Sequence, residues 1–194
     1  MLSQHMHDPA AIHTYMLKRL LRYIKGTIDL GIPITRSTLI LRTFSDADWA
    51  ADPISRKSIS GFCTFLGDTL VSWTVKKQTT VSISSTESEY RALAAATADT
   101  IWIKRLLSDF SVQHGTPIDI FCDNTSAIAL ANNPIFHART KHIEINQRFI
   151  RDHIQQNNIR LLPINIIDQI AYIFTKPLAT NRFQTLRSNL TIAS

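Results

Sequence analysis

Three carboxylates stand where the pattern of the chain puts the ends of its elements. Asp46 lies in TFSDADWA, after the apolar run Leu39-Ile40-Leu41. Glu89 lies in SSTESEYRAL, at the start of a long helical pattern. Asp123 lies in IDIFCDN, at the end of an apolar run with strand texture. A carboxylate taken out of water without a partner costs several kcal/mol. An acid at the inner end of a strand therefore either bonds its own turn or faces something positive. Local roles are open at each position. Asp46 or Asp48 fits a turn residue. Glu89 fits a capping box with Thr86, as Glu87 does with Ser84. Asp123 fits a helix N-cap. The other reading is a shared site. Three converging carboxylates cannot all stay ionised without a counter-charge, and magnesium, a hard cation with oxygen ligands that is usually shared with a substrate phosphate, supplies one.

The elements must bring these acids together. Residues 38–46 read as a strand, followed by the polar loop DPISRKSISG. GFCTFLG and TLVSWTVKK, separated by Gly67-Asp68, read as a hairpin. A long helix is expected over roughly 85–110, with Gly115 and Pro117 beyond its end. IDIFCDN reads as a buried strand, and NTSAIALANN as a short helix stopped by Asn132-Asn133-Pro134. RTKHIEINQRFIRDHIQQNN reads as an amphipathic helix. IRLLPINII reads as a strand in which Pro163 marks a sheet edge or a bulge. DQIAYIFTK is a short helix stopped by Pro177, and 180–190 one last helical piece. The fold class is α/β: a mixed five-stranded sheet, three antiparallel strands first and parallel strands after, flanked by helices. Ligands in such sheets sit beyond the carboxyl ends of the parallel strands. With the first and fourth strands adjacent, Asp46 and Asp123 meet there, and the start of the long helix brings Glu89 over them. Trp73 and Trp102 are expected in the core.

With 194 residues, 44% of them hydrophobic, and only 5 glycines and 7 prolines, the chain suits one domain of ordinary size with extra at its ends. A net charge of +6 favours a polyanionic partner such as nucleic acid. Residues 8–25 read as a helix capped by Asp8, with Pro9 in its first turn and Gly26 at its end. Its apolar stripe Leu17, Leu20, Leu21 and Ile24 is expected to dock. Its basic stripe Lys18, Arg22 and Lys25, with Arg19 beside it, reads as a solvated face or a phosphate contact. Residues 26–37 read as a linker. Cys63 and Cys122 read as buried free thiols, which suit a reducing compartment. No apolar run approaches the ~20 residues of a membrane span, and MLSQHMHDPAA lacks the apolar region of a signal peptide. An intracellular chain, cytoplasmic or nuclear and without a membrane partner, is the expectation.

DADWA, SGFCTFLG, VSWTVKKQTTVSISSTESEYRAL, CDNTSAIALANNP, HARTKHIEI and IAYIFTKPL occur in this order. Together they resemble the ribonuclease H region of a copia-type retrotransposon polyprotein, over about residues 40–186. MLSQHMHDPAAIHTYMLKRLLRYIKGT resembles the end of the reverse transcriptase region that precedes it. The resemblance implies a plan of 1–37 as the end of that region, 38–178 as a ribonuclease H-like domain and 179–194 as a tail, without the polymerase active site. It implies a ribonuclease H-like fold and two-metal hydrolysis of the RNA strand of an RNA–DNA hybrid. Asp46, Glu89 and Asp123 match the family's catalytic metal ligands, for two Mg2+ ions with Mn2+ as a substitute.

The family's fourth acid, in A-D-I of the last helix, is replaced here by Tyr172 in Ala171-Tyr172-Ile173. A neutral phenol with a pKa near ~10 is a poor magnesium ligand, so one ion is expected to bind more weakly than the other. Asp168, four residues earlier, would share that face on a helix and is the candidate substitute. Val75 and Arg148 also depart from the family pattern, which suggests a decayed copy. Hybrid binding needs positive charge along two backbones and a reading of the 2′-hydroxyls. Arg56, Lys57, Lys76, Lys77 and His142 are the candidates, with ordinary solvated pairs and a locally bonded histidine as the other readings. An impaired remnant that only binds nucleic acid is the alternative function. A phosphatase built on Asp46 and Asp48 explains neither Glu89 nor the hairpin-first order.

Overall fold

The computed structural model describes residues 2–113, 115–133 and 141–190. Helix α1 (Ala11–Lys25) precedes strands β1 (Leu41–Asp48), β2 (Ile59–Leu66) and β3 (Thr69–Lys77). Helix α2 (Ser85–Asp109), strand β4 (Ile118–Cys122), helices α3 (Thr125–Asn132) and α4 (Lys141–Gln155), strand β5 (Ile159–Pro163) and helices α5 (Tyr172–Thr175) and α6 (Thr180–Asn189) follow. The strands form one sheet in the order β3-β2-β1-β4-β5. The β1–β2 and β2–β3 pairs are antiparallel, and β1–β4 and β4–β5 are parallel. This is the mixed, hairpin-first sheet that the sequence predicts.

Local chemistry explains the connections. Gly67 takes φ +59° at the first position of the two-residue β2–β3 turn, a left-handed conformation that hairpin turns favour. The segment before β1 lies on that turn: Gly67 N–H donates to the Ile40 carbonyl at 2.8 Å, and Asp68 N–H to the Ser37 hydroxyl at 3.0 Å. Pro163 ends the edge strand β5, where a missing N–H is tolerated.

Each face of the sheet has its own core. On one, Tyr90, Leu93 and Ile101 of α2 pack with Ile120, Cys122, Ile159 and Leu161 of β4 and β5 and with Ile150 of α4. The buried Thr43 hydroxyl of β1 bonds that of Thr64 in β2 at 3.0 Å and that of Thr100 in α2 at 2.8 Å. On the other face, Phe44, Cys63, Phe65 and Leu70 pack with Ala171 and Leu190. Cys63 and Cys122 are buried and free.

Four expectations are corrected. The first strand runs from Leu41 to Asp48, not 38–46, because pairing with β2 continues to Asp48↔Ile59. Ala10, not Asp8, holds the N-cap position of α1, and His13 Nδ1 accepts from its N–H at 2.9 Å. The apolar stripe of α1 does not dock: Leu17, Leu20, Leu21 and Ile24 are all exposed. Trp73 and Trp102 are 52% and 61% exposed rather than core. Trp73 stands on edge strand β3, which has a neighbouring strand on one side only, and the inward positions beside Trp102 belong to Ile101 and Ile103. Pro134, the expected stop of the short helix, lies outside the described residues.

Gly61 lets α5 sit on β2. A Cβ there would lie 2.7 Å from Thr175 Cγ2 and 2.8 Å from Phe174 Cβ, whereas Gly115 has open space around it. Gly61→Ala is expected to lower stability by about 1–3 kcal/mol through overpacking, and Gly115→Ala by no more than about 0.5 kcal/mol. Urea unfolding of the two variants checks this. Equal effects would mean that α5 does not rest on β2.

Candidate active site

The β1–β4 register decides where the acids fall. Phe44 pairs with Phe121, so two residues on, Asp46 and Asp123 stand side by side at the carboxyl ends of two parallel strands. The strand period of two puts both on the α5 side of the sheet. Glu89 arrives from the first turns of α2. Ser84 caps that helix, its side chain accepting from Glu87 N–H at 3.1 Å, while Glu87 accepts from Ile83 N–H at 2.9 Å and pairs with Arg91 at 2.6 Å. Glu87 is therefore the capping acid, and the box of Thr86 with Glu89 is not formed. Asn124, not Asp123, caps α3, its side chain accepting from Ala127 N–H at 2.9 Å. Neighbours have taken the local roles that were open for Glu89 and Asp123.

Three side chains of the α5 segment meet the acids. Asp46 is fully buried, and both its oxygens are engaged. The Thr175 hydroxyl donates to Oδ2, and the Lys176 ammonium lies 3.4 Å from Oδ1. Tyr172 donates its phenol proton to Asp123 Oδ2 at 2.5 Å. Lys176 Nζ also sits 3.7 Å from the centre of the Tyr172 ring, a cation–π contact. Gln169, fully buried, ties this segment to β1 by donating to the Ser45 carbonyl at 3.0 Å. Asp123 Oδ1 is buried and has no hydrogen-bond partner among the described residues.

Burial outweighs the available positive charge. Glu89, 6% exposed, has its pKa pushed up to about 9, first by burial and then by the charges of Asp46 and Asp123. Burial also raises Asp46, although the Thr175 hydrogen bond and Lys176 pull the other way. Tyr172 is raised by burial and by its bond to Asp123, so it stays a neutral donor. Glu89, Cys122 and Asp123 bring one ligand atom each to within 4.8 Å of one another. Burial raises the Cys122 pKa and keeps it a protonated thiol, which a hard cation does not take. The oxygens of Glu89 and Asp123, with the unpartnered Asp123 Oδ1 among them, fit a divalent cation.

Other candidates fall elsewhere. Asp168 is exposed in the turn before α5, with its N–H on the Asn165 carbonyl at 2.9 Å. Helix α5 begins only at Tyr172, so the helical spacing that would put Asp168 on the Tyr172 face does not exist. Lys77 is ion-paired with Asp52, whose carboxylate also accepts from Ile54 and Ser55 N–H. Arg56 and Lys76 are exposed and Lys57 is half-buried. His142 stands in the first turn of α4, and its side chain lies outside the described residues. Sequence reasoning missed Thr175, Lys176 and Gln169. The available signal was their place around Tyr172, in the segment expected to carry the fourth acid.

No family model matches the chain. The retrovirus-related Pol polyprotein from transposon RE1 of Arabidopsis thaliana is 42% identical to it over 190 residues, covering 97% of this chain and 13% of the polyprotein. That from transposon RE2 of the same plant is 44% identical over 184 residues, covering 94% and 13%. The chain is similar to one stretch of the Pol polyproteins of copia-like transposons. The chain spans about 13% of the length of those curated relatives. Among solved structures it is similar to an N-terminal RNase H domain from Mycobacterium tuberculosis, at 10% identity over 78% of this chain and 98% of that chain, with a TM-score of 0.49.

The raised pKa of Glu89 has a consequence for stability. The native chain keeps a proton on Glu89 that the unfolded chain releases above about 4.3. Between that pH and about 9 the native state binds more protons, so stability falls as pH rises. In a chelator-containing buffer, the melting temperature is expected to decline from pH 5 to pH 9 and to decline less in Glu89→Gln. Parallel curves for parent and variant would remove Glu89 as the proton-holding group.

Proposed function

We propose that the chain is a divalent-metal-dependent ribonuclease acting on the RNA strand of RNA–DNA hybrids. The convergence of Asp46, Glu89 and Asp123 at the ends of β1 and β4 carries this reading. When bound, the ion supplies Lewis acidity and a nucleophilic water at neutral pH. Glu89 and Asp123 would hold one ion, and by the family pattern Asp46 would share in a second. Thr175 and Lys176 fix the Asp46 carboxylate and favour its charged form. Tyr172 sets the rotamer of Asp123 and leaves Oδ1 as its free acceptor. Arg56, Lys57, Lys76 and His142 are the proposed hybrid contacts. Lys77 instead pins the loop before β2 through Asp52.

One observation favours a second reading, an impaired nuclease of the same fold. Tyr172 engages Asp123 where the family pattern has an acid, which places a proton donor on one of the two Asp123 oxygens. Cleavage of a labelled hybrid with Mg2+ and with Mn2+ separates the two. On the first reading the parent cleaves, and Asp123→Asn lowers the rate at least about 100-fold. Tyr172→Asp is expected to raise the rate with Mg2+. A silent parent rescued by Tyr172→Asp would establish the impaired reading. Cleavage by Asp123→Asn at the parental rate, or none by parent and Tyr172→Asp alike, would remove the nuclease reading altogether.

A further inference from the structure

We infer that the groove between α1 and α6 binds single-stranded nucleic acid as it leaves the acid cluster, an assignment that rests on the hybrid reading above for the direction of the strand. The groove encloses about 550 Å³ and is lined by Arg19 and Tyr23 of α1, Thr180, Phe183 and Arg187 of α6, and Leu178 between α5 and α6. Tyr23 and Phe183 meet edge to face at 5.9 Å, yet Tyr23 remains 45% exposed. One wall is anchored, because Leu186 and Leu190 at the end of α6 are buried.

The charge of the groove is one-sided. Neither α1 nor α6 contains an aspartate or a glutamate, and α1 carries Lys18, Arg19, Arg22 and Lys25. Lys18 and Arg22 are four residues apart, where like charges repel on a helix. No carboxylate pairs with Arg19 or Arg187 among the described residues. Other arginines do have partners: Arg182 donates to the Ile166 carbonyl at 2.9 Å, and Arg160 pairs with Asp119 at 2.8 Å. The groove thus gathers cationic side chains that the fold itself leaves unneutralised.

The lining narrows the class of anion. Guanidinium groups suit phosphodiesters, and exposed aromatic rings suit unpaired bases, which stack on them. A duplex keeps its base faces inside the stack and would leave Tyr23 and Phe183 unused. An acidic peptide offers charge without flat rings. Position adds to this. Leu178 on the groove wall lies two residues after Lys176, which touches Asp46, and two residues span at most about 7 Å. A strand end that frays from the cluster meets the groove at once.

Fluorescence anisotropy on the full chain tests this with a single-stranded RNA, a blunt RNA–DNA hybrid, and the same hybrid carrying a single-stranded extension. The extension is expected to tighten binding about tenfold over the blunt hybrid, as expected for stacked bases. Arg19→Gln with Arg187→Gln erases that gain, leaves blunt-hybrid affinity unchanged, and flattens the salt slope for the single strand by about 1.4, for two phosphates at ~0.7 each. Tyr23→Ala loses most of the gain and Tyr23→Phe keeps it. Melting curves identify any variant that fails to fold, and the Tyr23 pair then decides the matter. An extension without effect, equal loss of blunt and extended hybrid in the arginine variant, or displacement of the strand by polyglutamate as effective as by RNA would overturn the groove assignment. Failure of the parent to bind blunt hybrid while still binding single-stranded RNA through Arg19 and Arg187 would overturn the hybrid reading and leave the groove standing.

Discussion

A charged side chain buried in a central strand cannot be accommodated by local adjustment. Strand β1 lies in the middle of the sheet, between β2 and β4, and Asp46, paired with Gly61 of β2 and covered by Thr175 and Lys176, is shut off from water. The rest of this end of the molecule answers to that position. Gly61, opposite Asp46 in the β1–β2 pairing, has no side chain, and α5 descends into the space. That descent brings Thr175 and Lys176 onto the two Asp46 oxygens, and Gln169 holds the incoming segment against the Ser45 carbonyl. A one-turn helix with little intrinsic stability is thus fixed by tertiary bonds, and its placement follows from the carboxylate it serves.

The balance of effects around the cluster shows what it lacks. A hydrogen bond and an ammonium group both lower the pKa of Asp46, yet burial wins and the net direction is upward. Glu89 is carried further the same way, because the charges of Asp46 and Asp123 add to burial. One lysine shared between Asp46 and the Tyr172 ring does not neutralise three acids. Such an arrangement either keeps protons or takes a cation of higher charge, and oxygen donors around an unpartnered Asp123 Oδ1 favour the cation.

The sheet was legible because its strands are separate apolar runs with strong punctuation. Gly67-Asp68 makes the hairpin, Pro163 marks the edge, and a helix between β1–β3 and β4 makes the parallel crossover. The three acids were legible for the same reason, since each follows or opens a readable element. What failed depends on contacts remote in sequence. Thr175 and Lys176 look like the fraying end of a helix until Asp46 is placed 129 and 130 residues away. Trp73 and Trp102 sit in apolar surroundings by sequence, but the exposure of Trp73 follows from its strand lying at the sheet edge, and that of Trp102 from the face of α2 that packs on the sheet, neither of which the local pattern records. Asp168 was assigned by extending a helix that begins only at Tyr172.

Position 172 shows how stability and chemistry can be set against each other in one residue. A carboxylate there would bring a fourth negative charge to a cluster in which burial already raises Asp46 and Glu89, and only bound cations would offset it. The phenol reverses the local electrostatics: it is neutral, donates to Asp123 Oδ2, and offers its ring face to Lys176. Fewer counter-charges are then needed to fold the cluster, and fewer oxygens remain to hold them. Tyrosine at this position therefore relieves the repulsion that a fourth acid would add, and the same hydrogen bond that relieves it leaves Asp123 only Oδ1 without a partner.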